Sequence, residues 1–105
     1  MTKSIRSQMA LALIVALGSA AGFAQAGADV YKSKCQMCHG ANGAADTPTA
    51  KMMKVKPLAD PDIKKLSEDD MIASVKNGKG KMQPFKDKIT DQQIKDSVDY
   101  YRNLK

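Results

Sequence analysis

Toward the C-terminus the apolar positions fall into a helical rhythm: Ile94, Val98 and Tyr101 stand at i, i+4 and i+7, and Leu104 extends the stripe. Thr90 with Gln93 three residues on makes a capping box, so the pattern predicts a helix opening at Thr90, with Lys95, Asp96, Asp99 and Arg102 on a solvated outer face. A second helix is predicted after Ser67, with Asp70 at the capping-box position, Met71, Ile72 and Val75 as its apolar stripe and Asn77-Gly78 as its stop. A short helix is expected between Thr49 and Val55, carrying Met52 and Met53. The first helix should begin near Gly27 or Ala28 with Asp29 in its first turn, turn Val30 and Tyr31 inward, and run into Cys35. Between these elements, residues 40–48 are rich in breakers and read as a loop, and Pro57 and Pro61 force an extended connection. The expected class is all-α, with three to five helices.

The N-terminus follows a different logic. Lys3 and Arg6 form a basic patch, Met9 to Leu17 is an apolar run, and Ala24-Gln25-Ala26 is a small-residue cleavage site, which together read as a secretory signal peptide cut after Ala26. The apolar run is shorter than the roughly 20 residues a spanning helix requires, so no stable membrane insertion is expected after cleavage; a retained anchor is the alternative. Residues 1–26 are therefore assigned to targeting and 27–105 to one domain exported to the periplasm.

Composition sharpens the picture. With two Phe, three Tyr and no Trp in 105 residues, the chain has little bulk for a core, and domains this small usually need a covalent or metal staple. Loss of Lys3 and Arg6 with the targeting segment lowers the formal charge from +6 to +4. Lysines alternate with acids through much of the sequence, rather than forming the dense basic face with interleaved aromatics that nucleic-acid binding needs, so that class is set aside.

The staple is written at Cys35-Gln36-Met37-Cys38-His39. C-x-x-C-H is the attachment signature of c-type haem: Cys35 and Cys38 can add to the two vinyl groups of one porphyrin edge, and His39 is then carried under the iron. A structural zinc would need four ligands, and these two Cys and this one His are all the chain has of either type. A thioredoxin-like pair would need a preceding strand, and nothing upstream of Cys35 reads as one. An ordinary disulfide between Cys35 and Cys38 remains as the bland alternative.

With Asp29-Val30-Tyr31 before the motif, His39-Gly40 after it, Lys79-Gly80-Lys81-Met82-Gln83-Pro84-Phe85 further on and Ile89 to Ile94 leading to Tyr100-Tyr101-Arg102-Asn103-Leu104, the chain after Ala26 resembles the small bacterial class I cytochromes c. The resemblance implies a small helical fold wrapped around one covalent haem c, with His and Met as axial ligands. Gly27 and Tyr31 match the positions that pack on the last helix in that family, Tyr31 with its hydroxyl expected in water. The resemblance also places the acceptor of the His39 ring N–H at the carbonyl of Pro48, where the family's usual preceding Gly is Thr47. Among the methionines left after processing, Met37 lies inside the attachment loop, Met52 and Met53 fit a short helix and Met71 fits a helix stripe. Met82 sits in a Gly-rich, non-periodic loop, where glycine lets backbone approach the porphyrin closely; with the resemblance, it is the expected sixth ligand, although Gln83 separates it from the family's following Pro.

The function implied is that of a monomeric single-electron carrier, not an enzyme. The alternatives are an electron-entry subunit of a larger oxidoreductase, or a five-coordinate ligand-binding or peroxidase-type haem protein, for which no second His exists. Lys76, Lys79, Lys81, Lys86 and Lys88 surround Met82 with Asp87 as the opposing charge, so the expected partner is a redox protein with an acidic docking patch.

Overall fold

The computed structural model describes residues 25–105; the targeting signals at Lys3, Arg6 and Met9 to Leu17 lie outside them. Helix α1 covers residues 25–34 and passes through a single turn residue, Cys35, into the one-turn helix α2 (Gln36–His39). The expected cut after Ala26 falls inside α1. Then follow α3 (Pro48–Met53), α4 (Pro61–Lys64), α5 (Glu68–Asn77) and α6 (Asp91–Arg102). Counting α1 and α2 as one broken helix gives five among the described residues, joined by loops without named strands, within the all-α class of three to five helices expected.

The caps explain where the elements start. Thr90 accepts from Gln93 N–H while the Gln93 side chain accepts from Thr90 N–H, and Ser67 and Asp70 make the same reciprocal pair on α5. Each satisfies orphan amides of a first turn, worth about 1 kcal/mol per cap. Helix α3 starts one residue earlier than expected, because Pro48 takes the first helical position, where its missing N–H removes no bond. The extended connection expected between Pro57 and Pro61 is instead a turn, Asp60 N–H donating to Pro57 O at 3.0 Å, and Asp60 caps the unforeseen short helix α4, again with Pro at the first position.

The core has two parts. Met71 of α5 and Ile94 and Val98 of α6 form one cluster, against which Ile63, Leu66, Ile72, Val75, Ile89 and Tyr101 pack. The other is the crossing of the first and last helices. Tyr31 is 1% exposed and lies between Tyr100 and Tyr101, with ring centroids at 5.2 and 6.0 Å. A Cβ on Gly27 would sit 2.5 Å from the Asp96 carbonyl oxygen, so only glycine allows α1 to approach α6 this closely.

Two details depart from expectation. The Tyr31 hydroxyl is not in water but donates to the Gly40 carbonyl at 2.5 Å, because the chain after α2 turns back over it. Arg102 is not simply solvated: its Nη1 donates to the Leu66 carbonyl at 3.0 Å and lies 3.6 Å from Met71 Sδ, tying the end of α6 to the start of α5.

Candidate functional site

Cys35 terminates α1, its amide donating to Tyr31 O at 2.9 Å, and α2 folds directly onto it through Cys38 N–H and His39 N–H, both donating to Cys35 O. Two thiols and an imidazole thus leave one turn. Gly40, at φ +83°, ends it in a conformation that L side chains rarely adopt, and a Cβ there would meet the Asp46 carboxylate at 2.7 Å. Cys35 and Cys38 are not bonded to each other. Burial, helped by the neighbouring Cys38, pushes the Cys35 thiol up to about 11.

The His39 ring packs against Tyr101 with centroids 5.2 Å apart and planes tilted by 59°. Burial lowers its pKa below the ordinary imidazole value, favouring the neutral form that a metal requires. Its Nδ1 is buried with no hydrogen-bond partner among the described residues, so the expected bond to the carbonyl of Pro48, the first residue of α3, is not formed there.

Met82 is presented from the other side by a tight turn. Lys79 and Met82 exchange backbone hydrogen bonds of 3.1 and 3.0 Å around Gly80 (φ +58°) and Lys81. Gly78, at φ +80°, would place a Cβ 2.9 Å from Met82 O and 3.1 Å from Pro84 N. The glycines of this loop therefore let the backbone approach itself. After the turn, Phe85 and Lys86 N–H donate to Val75 O and Lys76 O, hanging the segment from the end of α5.

Between these two sides runs an apolar slot. A cavity of about 470 Å³ is lined by Cys35, His39, Leu66, Met71, Val75, Met82, Val98 and Tyr101 among others, and a second of about 700 Å³ by Cys35, Cys38, His39, Met53, Val55, Met82 and Phe85. Both are bordered by Cys35, His39, Lys79 and Met82, and Cys38 borders the second, so the four residues singled out in the sequence line neighbouring cavities. Met71, expected in the core, is both core and cavity wall. A large, flat, apolar group with a metal at its centre suits this space. The two thiols stand at its edge, a nitrogen ligand and a thioether border it, and the orphaned polar atom of the lining belongs to the imidazole.

The lysines around Met82 are not equivalent. Lys76 is 3.3 Å from Asp91, and Lys88 bonds Gln83 and lies 5.5 Å above the Phe85 ring. Lys79 and Lys81, which have no ion-pair partner among the described residues, border the wider cavity together with Lys34 and Lys54 from the opposite bank; no acidic residue joins them there. The sequence reading missed Lys34 and Lys54 because they lie 48 and 28 positions from Met82, and it missed the Tyr101 contact with His39 for the same reason.

Residues 22–100 match the family model described as cytochrome C oxidase, cbb3-type, subunit III. The chain is 34% identical over 96 residues to cytochrome c6 of Thermosynechococcus vestitus, covering 88% of this chain and 81% of that one. It is 33% identical over 86 residues to cytochrome c6 of Bryopsis maxima, covering 79% and 94%. Among solved structures it is similar to the KustC0563 c-type cytochrome, with a TM-score of 0.68 at 30% identity over 75% of this chain and 96% of that one. No described helix is long and apolar enough to cross a membrane. With a cysteine-edged apolar slot, relatives of this identity and a fold shared over nearly the whole length of a known cytochrome, the chain belongs to the small class I c-type cytochromes, electron carriers built around haem c.

Proposed function

We propose that the chain is a periplasmic single-electron carrier in which Cys35 and Cys38 hold the haem covalently and His39 and Met82 are its axial ligands. The observation that carries this reading is that two neighbouring apolar cavities are both bordered by Cys35, His39 and Met82. Bound there, haem supplies a one-electron couple between ferric and ferrous iron. The residues of the chain supply the rest. His39 is buried and favours its neutral form, so its imidazole is ready to coordinate. The Met82 thioether would serve as the second protein ligand, which would leave no open site for substrate and would favour the ferrous state. Leu66, Met71, Val75, Val98 and Phe85 exclude water and so disfavour the additional charge of the ferric form. Residues 1–26 serve as the cleaved export signal, and the mature protein acts as a monomer.

Visible spectra of the purified protein in both oxidation states test the ligation directly. A low-spin spectrum with the Met-to-ferric-haem band is expected; a high-spin spectrum that responds to added small ligands would replace the carrier with a ligand binder. The description of the matched family names an oxidase subunit, which supports a second reading as part of a larger oxidoreductase. Gel filtration of the natively expressed protein separates the two.

For docking, the favoured surface is the Lys34, Lys54, Lys79 and Lys81 rim rather than the whole lysine-rich loop, and the partner is a redox protein with an acidic patch. Steering of this kind is screened within about 8 Å at physiological salt. The second-order rate of electron transfer with the physiological partner should fall as ionic strength rises, and Lys79→Glu or Lys81→Glu should lower it at low salt while leaving the spectrum unchanged. A rate indifferent to salt would remove this rim from the docking surface.

A further inference from the structure

Ser67 caps α5, and the apolar residues flanking its first turn, Leu66 just before the cap and Met71 as the fourth residue of the helix, stand where a hydrophobic staple ordinarily fixes the entry of the chain. Both border the narrower cavity. Arg102, in the last turn of α6, reaches this pair from 36 and 31 positions away: its Nη1 donates to the Leu66 carbonyl at 3.0 Å and to Met71 Sδ at 3.6 Å. The guanidinium pairs with no carboxylate among the described residues. One nitrogen therefore holds both members of the staple, and among the described residues Met71 is the methionine whose sulfur accepts a hydrogen bond.

Met71 is also a partition. It borders the cavity of about 470 Å³ together with Met82, and it is the residue common to that cavity and another of about 670 Å³, lined by Leu58, Leu104 and Arg102 among others. Arg102 borders the second cavity and not the first, so the Met71 sulfur is engaged from the outer side of the wall. Two thioethers thus border one cavity, and a metal cannot tell them apart by donor type, because the donor is the same group. The choice has to be made by the chain. Met82 arrives on a turn shaped by glycine, whereas Met71 is held back. To reach iron, its sulfur must give up the charge-assisted bond from Arg102 or draw the guanidinium toward a ferric centre of like charge.

Resting on the reading of Met82 as an axial ligand, we propose that Arg102 is a positioning residue that decides which methionine takes the iron: by donating to Met71 Sδ and Leu66 O, it keeps the second thioether in the cavity wall and leaves the sixth position to Met82. Ligand selection is then a property of the end of α6 as much as of the loop that presents Met82.

The test uses holoproteins in a Met82→Ala background, where Met71 has no competitor. Alone, Met82→Ala should lack the Met-to-ferric-haem band and bind added imidazole. Adding Arg102→Leu removes both bonds; it should bring the band back and raise severalfold the imidazole concentration needed for half-saturation. Adding Arg102→Lys instead keeps the charge and a donor at the end of a long side chain, so the iron should stay open. Met71→Leu on top of Met82→Ala and Arg102→Leu should abolish the band again, which assigns it to Met71. If the double variant does not fold, Arg102→Leu in the protein that retains Met82 serves. With the methionine methyls labelled, the Met71 resonance of the ferrous protein should move upfield as the methyl nears the porphyrin, and Arg102→Lys should leave it at the wild-type position. A tie with only a structural role would lower the melting temperature of Arg102→Leu. It would leave the double variant with the spectrum and imidazole affinity of Met82→Ala, and the Met71 methyl unmoved, and either result overturns the proposal. A band that survives Met82→Ala alone, or is missing from the wild type, would instead overturn the reading of Met82 as ligand, and this inference with it.

Discussion

The two banks of the slot are built in opposite ways. On the His39 side, the functional side chains stand on a turn whose carbonyls are held from three directions, by Tyr31, Ala45 and Thr47, and whose ring is pressed by Tyr101. On the Met82 side, the side chain hangs from a tight turn closed by two backbone bonds and suspended from α5 by two more. The first bank is over-determined; the second depends on glycine conformations and a short length of backbone. In a reversible one-electron carrier this division suggests which bond yields when conditions change. Under the proposed ligation, the bank with fewer restraints is the one from which a ligand would depart, while the cysteines would keep the group in place.

The largest effect should come from removing the tether of the rigid bank. Cys35→Ala together with Cys38→Ala should abolish covalent haem and leave a chain too poor in apolar bulk to stay folded, with Tyr31 and Ile94 as the largest of its fully buried side chains. Mass spectrometry checks the premise: the mature wild-type protein should weigh the polypeptide from Gly27 plus one haem, and the bare polypeptide mass would refute it.

Next in size is the contrast between two methionines bordering the same cavity. Met71 is 8% exposed and packed with Ile94 and Val98, so Met71→Ala should cost about 2–5 kcal/mol of stability without changing the spectrum. Met82→Ala should leave the haem attached, remove the Met band and open the iron to added imidazole. If the band disappears with Met71→Ala and survives Met82→Ala, the assignment of the flexible bank is reversed.

A smaller perturbation probes the turn itself. Gly78→Ala forces a side chain into φ +80° and within 2.9 Å of Met82 O, a strain of about 1–3 kcal/mol. Imidazole should then displace Met82 at a lower concentration than in the wild type, whereas the contacts of the His39 bank are untouched. Equal imidazole affinity in the two proteins would mean that the turn does not govern release.

Much of this was legible in the sequence, because much of it is local. The attachment motif, both capping boxes, the stop at Gly78 and the glycine turn that carries Met82 each depend on residues within a few positions of one another. What was not legible depends on which distant groups meet. Nothing near His39 announces that Tyr101 will cover it, and nothing near Thr47 marks its hydroxyl as the partner of Met37 O ten residues back. The lysines were readable as a charged loop but not as individuals, since Asp91 and Phe85 decide which are engaged. Helix α4 escaped because two prolines read as an extended connection, although the second sits where a helix accepts it.

The crossing of α1 and α6 sets the order in which the molecule can be completed. Gly27 and Tyr31 find their partners at Asp96, Tyr100 and Tyr101, on the last described helix. Most residues that border the slot lie between, in a loop that this crossing closes, and the entropic cost of closing a long loop grows slowly with its length. The first helix therefore lacks these partners until α6 has formed. Until then His39 also lacks the Tyr101 face, and the turn bearing both cysteines stays open to the group it is proposed to hold.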